Sequence, residues 1–200
     1  MTIPHGYTDL APGKIASVVT YLEMRERPQQ PLTNPPQGLT FRKVEVPALD
    51  WYRTLYRAVG QDWLWFRRLG MSDEELGRAI HHPNVDIYAL AQDGQGDKGL
   101  LELDRGSESE VEIAYFGLTT DLVGQGAGRY MMEQGLTAAW ANNPRRVWVH
   151  TCTLDHPRAL AFYIKAGFVP YKRAIEVADD PRLTGKVPKT AAPHIPRIEI

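Results

Sequence analysis

Three glycines at every second position, Gly124, Gly126 and Gly128, close one patterned stretch and open another. Before them, Val111, Ile113 and Tyr115 alternate with Glu112, Ala114 and Phe116, the period of a strand. After them, Met132, Leu136, Ala139 and Trp140 recur at helical spacing. Glycine lacks a Cβ, so the main chain here can turn its N–H groups outward and let a ligand come close. At the start of a helix those N–H groups have no partner within the helix, and the helix dipole adds positive character. A strand, a glycine loop and a helix in this order therefore make a seat for an anion, above all a phosphate. Two common phosphate loops do not fit. No Lys-Ser or Lys-Thr follows the glycines, and Arg129 stands where G-x-G-x-x-G needs its third glycine.

The segment Val123-Gly124-Gln125-Gly126-Ala127-Gly128 resembles the pyrophosphate loop of the GNAT (GCN5-related N-acetyltransferase) family, [RQ]-x-x-G-x-[GA]. Val123 takes the place of the usual Arg or Gln, which removes a side chain and leaves the main-chain cradle. About 30 residues on, Asp155 to Tyr171 is similar to the family's later pattern N-x-x-A-x-x-x-Y-x-x-x-G-F. Ala159, Tyr163, Gly167 and Phe168 match in register, and His156 replaces the Asn. The resemblance covers roughly Leu39 to Val177. It implies an α/β fold of the acyl-CoA N-acyltransferase type: a mixed central sheet with an antiparallel meander and a splayed parallel strand pair, flanked by helices.

The resemblance also implies a chemistry, transfer of an acetyl group from acetyl-coenzyme A to a primary amine by direct attack in a ternary complex. Residues Gly124 to Arg129, with Val123, would hold the diphosphate. Main-chain groups at Phe116, Gly117 and Leu118 would hold the pantetheine arm, and His156 lies in the coenzyme-binding segment. Tyr163 is the candidate general acid, since a phenol of pKa ~10 keeps its proton at neutral pH and can give it to a thiolate. Tyr163 would also border the coenzyme. Glu112 is the candidate base, with Glu102 on the preceding strand as a second carboxylate whose proton affinity would couple to it. Asp62, Trp63 and Trp65, with Phe66 beside them, offer an aromatic wall and one carboxylate to a cationic amine. His150 and Cys152, on one face of the strand opposite the cleft, receive no role, since most histidines and cysteines in such strands are structural. The alternative is a non-catalytic coenzyme A sensor or a partner-docking module on the same fold.

The elements that must position these residues follow from patterning. Lys14 to Arg27 reads as a helix with Ile15, Val18, Val19 and Leu22 on one face, and Pro28 to Gln37 as a proline-rich linker. Together residues 1–38 form a leading segment, 39–177 the catalytic domain and 178–200 a proline-rich tail. A strand is expected over 39–44, a helix over 47–60, and a capped short helix from Ser72-Asp73-Glu74-Glu75. Strands over 86–92, 99–104 and 110–118, joined by tight turns, make the meander. A strand over 147–152 follows the helix opened by the glycines and runs parallel to the strand before it. A helix capped by Asp155 or His156 and a strand from Phe168 complete the set.

A length of 200 residues with 43% hydrophobic content suits one core. A net charge of -1 gives no footprint for nucleic acid. One cysteine leaves no internal disulfide, and no apolar run of membrane length or signal-peptide pattern appears. His81-His82-Pro83 has no metal-ligand partner at useful spacing. The expected setting is cytoplasmic, with a small-molecule or peptide amine as partner, no nucleic acid or membrane, and a homodimer possible.

Overall fold

The computed structural model describes residues 5–29, 32–107 and 109–199. Seven strands form one sheet: β1 (Lys14–Met24), β2 (Leu39–Lys43), β3 (Val85–Gln92), β4 (Gly96–Ser107), β5 (Glu110–Leu118), β6 (Arg146–Cys152) and β7 (Val169–Asp179). Their order across the sheet is β2-β3-β4-β5-β6-β1-β7. The strands β2 to β5 are the antiparallel meander, and β5 with β6 is the parallel pair. Among the described residues four α-helices flank the sheet: α1 (Leu49–Gly60), α2 (Asp73–Ile80), α3 (Ala127–Ala139) and α4 (Ala159–Lys165).

Two cores result from the alternation. On one face, Leu101 and Leu103 of β4, Val111 and Ile113 of β5, and Val147 and Val149 of β6 pack under α3 and α4. On the other, Ile87, Ala89 and Leu100 pack under α1 and α2. In α1, Tyr52, Leu55, Tyr56 and Val59 recur at i, i+3, i+4 and i+7 and are all buried, so one stripe of the helix faces the sheet. In α2, Ser72 accepts from the Glu75 N–H while the Glu75 side chain accepts from the Ser72 N–H, which satisfies two N-terminal donors that would otherwise be unpaired.

The leading segment differs from the helix expected there. Lys14–Met24 is a strand, inserted antiparallel between β6 and β7. Its odd residues, Ile15, Ser17 and Val19, are buried on one face, and its even residues, Thr20, Leu22 and Met24, on the other. Burial that changes face halfway along the strand puts Ile15, Val19 and Leu22 in the core, and with the exposed Val18 they imitate a helical stripe. The β-branched residues Ile15, Val18, Val19 and Thr20 fit the strand. The linker that follows reaches α3, where Thr33 donates from its N–H (2.7 Å) and hydroxyl (2.6 Å) to Glu133; Gln30 and Pro31 lie outside the described residues.

The tail after β7 folds onto the body. Asp180 and Arg182 form a buried ion pair at 2.7 Å, and the Arg182 guanidinium donates to the carbonyls of Ala192 and Ile195. Val187, Ala191 and Ala192 close a small core with Ile15 and Leu64. No helix among the described residues is long and apolar enough to cross a membrane.

Candidate active site

The parallel pair parts early. Residues of β5 and β6 register from Glu110↔Arg146 to Ile113↔Val149 and no further, while β5 stays paired with β4 as far as Leu118. An irregularity between β4 and β5 leaves Ala114 out of register at the point where the strands separate. A cleft of about 1520 Å³ opens through this gap, floored by β5 and β6 and walled by α3, α4 and the segment 63–71.

The glycine loop forms one end. Gly124 (φ +91°) and Gly126 (φ +83°) both hold the left-handed conformation, and the space where a Cβ would sit is open at each. Gly126 is the N-cap of α3 and carries no side-chain cap, so the first N–H groups of the helix are left for solvent or ligand. Gly124, Gly126, Gly128 and Val123 line the cleft. Leu122, buried, pins the loop, and Gln125 Nε2 donates to the Asp121 carbonyl at 2.6 Å. Ala127 is buried as the first residue of the helix. Arg129 borders the cleft with its guanidinium held by Glu133 at 2.8 Å. The chemistry of this end, open main-chain donors beside one cation, fits a diphosphate.

Phe116, Gly117 and Leu118 follow along the gap: Phe116 stacks on Phe162 of α4, and Gly117 turns towards Val59 and Trp65. Tyr163 points into the same place from α4, with its ring against Phe116, Phe162 and Phe168. Burial, and then the charge of Asp155, push its phenol well above the ordinary range, so it stays protonated at neutral pH. Asp155 and His156 do not cap α4, whose N-cap is Arg158. Asp155 instead folds back on the end of β6, accepting from Thr151 Oγ1 and the Cys152 N–H at 2.8 Å each, and from Trp65 Nε1 at 3.3 Å. His156 Nδ1 accepts from the Arg158 N–H, and its ring meets Trp63 edge to face at 5.0 Å. Burial and the Arg158 charge both lower the His156 pKa.

The two carboxylates read from the sequence part company. Glu112 lies in the cleft with its Oε1 3.3 Å from His150 Nδ1. Its neighbour across β4 is Asp104, also in the cleft, and not Glu102. Glu102 is wholly buried under α1, where Arg68 and Tyr52 Oη (2.5 Å) both donate to it. Burial raises its pKa against the opposing pull of Arg68. It therefore has no access to an amine, and its expected coupling to Glu112 is replaced by an ion pair. The reason is parity: the irregularity at Ala114 shifts register, so Glu102 faces Tyr115 while Glu112 faces Asp104.

Of the aromatic segment, Trp63, Trp65 and Phe66 line the cleft, with Trp65 against Tyr56 and Tyr115 at 5.3 Å each. Asp62 does not. It is exposed and borders a smaller pocket with Trp63, Thr120, Val123, His156 and His194. His150 and Cys152 sit in the cleft wall, contrary to expectation, together with Trp148 and Tyr21. Trp148 and His150 alternate with the core residues Val147 and Val149, so their common face was visible; that this face borders the cleft depends on the parallel register with Glu112. Tyr21 enters from β1, opposite His150, and the helix expected for residues 14–27 hid it.

No protein of curated function matches the chain in sequence. Its solved structural neighbours include a GCN5-related N-acetyltransferase from Sphaerobacter thermophilus, 16% identical with a TM-score of 0.63, covering 92% of this chain and 54% of that one. An aminoglycoside acetyltransferase from an uncultured soil metagenomic sample, solved with trehalose, is 17% identical with a TM-score of 0.54, covering 65% of this chain and 88% of that one. A GNAT family acetyltransferase from Streptococcus pneumoniae is 25% identical with a TM-score of 0.50, over 66% and 87% of the two chains. The chain thus spans about half the length of the first of these, and likeness at such identities speaks to the fold. Residues 51–168 match the acetyltransferase (GNAT) family, more than half of the chain, and with the splayed sheet and glycine loop in place the chain belongs to that family.

Proposed function

We propose that the chain moves an acetyl group from acetyl-coenzyme A to a primary amine by direct attack. The observation that carries this reading is the continuity of one cleft from the uncapped N-terminus of α3, past the gap between β5 and β6, to Glu112. When bound, the coenzyme supplies an acyl group activated as a thioester. The amides of Gly124 to Gly128 seat its diphosphate, with Arg129 beside them, and the free main-chain edge at Phe116 to Leu118 aligns its arm. The residues then divide the proton work. Glu112, with His150 at its side, takes the proton that the amine loses as nitrogen bonds to the acyl carbon. Tyr163 gives a proton to the sulfur as the carbon–sulfur bond breaks. Cys152 stays out of the covalent chemistry, since burial, and next the Asp155 charge, raise its thiol and keep it protonated.

The acceptor is a small-molecule or peptide amine, approaching over Trp63, Trp65 and Phe66. The test is thiol release from acetyl-coenzyme A against a panel of primary amines, run with wild type and with Tyr163→Phe. Release by the wild type, much reduced in the variant at unchanged coenzyme affinity, is the expected result. Coenzyme binding without release against any amine would make the chain a binding module.

A further inference from the structure

Leu64 holds a left-handed backbone (φ +53°, ψ +39°), which strains a residue that carries a Cβ. The strain is held in place by packing: Leu64 is buried with Ile15, Val187, Ala191 and Ala192. The turn drives the next residue inward. The Trp65 N–H bonds to the Gly60 carbonyl at 3.0 Å, and the indole lies so close to Gly60 that a Cβ there would overlap it.

The indole reaches both sides of the gap between β5 and β6. On β5, a Cβ at Gly117 would stand 3.2 Å from its Cη2, tighter than ordinary contact. Just beyond β6, its Nε1 donates to Asp155 Oδ1 at 3.3 Å, while Oδ2 of that carboxylate accepts from Thr151 Oγ1 and the Cys152 N–H at 2.8 Å each. Tyr56 and Tyr115 back the ring at 5.3 Å each. A strained turn, two close glycines and one hydrogen bond thus fix a large ring in a single place.

That place lies on the acceptor side of the sheet. The diphosphate seat opens α3, which packs on the face of Ile113 and Val149. Glu112 alternates onto the opposite face, the one on which Trp65 packs with Tyr115. A coenzyme seated at the glycines, with its acyl carbon near Glu112, passes its end through the gap and meets the indole. An acetyl group brings one methyl beyond the carbonyl. Each further methylene needs space that the ring fills, and overfilling a packed site is unfavourable.

We infer that Trp65 is the specificity-determining residue for the acyl group and restricts the coenzyme's cargo to short chains, with Asp155 as the residue that positions it. This rests on the acyl-transfer reading for the site and adds donor selectivity to it.

The test is calorimetric titration of the full chain with free coenzyme A and with its acetyl, butyryl and hexanoyl thioesters. For each protein the reading is the affinity for the thioester divided by that for free coenzyme A, so a general loosening of the fold cancels. In the wild type this ratio should fall at least about tenfold from acetyl to hexanoyl. Trp65→Ala vacates the wall and should reverse most of the fall, since the added methylenes then meet Val59, Tyr56 and Tyr115. Asp155→Asn separates the tie to the indole from the tie to β6. Its amide oxygen can keep the Thr151 and Cys152 donors, which turns its NH2 towards the indole N–H, donor against donor. The fall should shrink several-fold in that variant. Flat ratios across the series in the wild type, or a fall that both variants leave intact, overturn the inference. No binding of free or acetylated coenzyme A by the wild type sinks the acyl-transfer reading and the inference together, whereas binding with a flat series sinks the inference alone.

Discussion

Tyr163 and Glu102 show how burial separates residues that the sequence presents alike. Both are ionisable and both are largely or wholly buried, yet one lines the cleft and the other is sealed beneath it. For Tyr163, burial raises the phenol, which keeps its proton at neutral pH and at the same time makes it a weaker donor than a free tyrosine. Loss of a general acid costs about 10²–10⁴ in rate, so Tyr163→Phe should lower turnover by that order while coenzyme affinity stays within about threefold. Steady-state thiol release and equilibrium titration check the two halves separately, and a variant with wild-type turnover removes Tyr163 from the mechanism. For Glu102, the same burial is compensated by Arg68 and Tyr52, which turns a candidate base into an anchor. The Glu112 side chain, 23% exposed beside His150, keeps access to the cleft. Spacing alone places both carboxylates on neighbouring strands. The register shift at Ala114, which decides between them, leaves no mark in the sequence.

Among the elements, legibility followed the strength of local signals. Strand β5, the glycine loop, α3, the capped α2 and the left-handed Gly167 after α4 were readable because period, cap and turn chemistry agreed at each. Strand β1 was not, because its two halves bury opposite faces and their sum mimics a helical stripe. The strand makes a prediction that the helix would not. Leu22 is fully buried and Val18 is 41% exposed. Leu22→Ala should cost about 2–5 kcal/mol and Val18→Ala no more than about 0.5 kcal/mol. On a helix both would share one buried face and both would matter. Urea unfolding of the two variants decides, and equal losses would contradict the strand. The consequence reaches the site, since β1 brings Tyr21 to the cleft opposite His150.

At the scale of the whole molecule, β1 and the segment after β7 both pack onto the body. Strand β1 completes the sheet between β6 and β7, and the tail is fastened beneath the aromatic segment, with Trp63 5.8 Å from His194 and Phe66 under Lys186. At the root of the tail the Asp180–Arg182 pair holds the Arg182 guanidinium against the carbonyls of Ala192 and Ile195. Burial by itself would raise the Asp180 carboxyl, but hydrogen bonds from the Arg182 side chain and main chain hold it below its ordinary value. A depressed native pKa stabilises the fold above the unfolded value, near 4, and that contribution is lost as pH falls through the lower native one. Stability should therefore fall with acid below about pH 4, and Asp180→Asn should flatten this dependence; unfolding followed by Trp fluorescence at several pH values measures it, and an identical acid limb in the variant would contradict the assignment. The central claim concerns the other end of the cleft, where the amides between Gly124 and Gly128 receive a diphosphate. Calorimetric titration of acetyl-coenzyme A into the wild type and into Gly126→Val tests it most directly. Valine at φ +83° is strained and puts a side chain into the open cradle, so binding heat in the wild type and none in a folded variant is the outcome expected. Equal heats from both proteins, or no heat from the wild type, would contradict it.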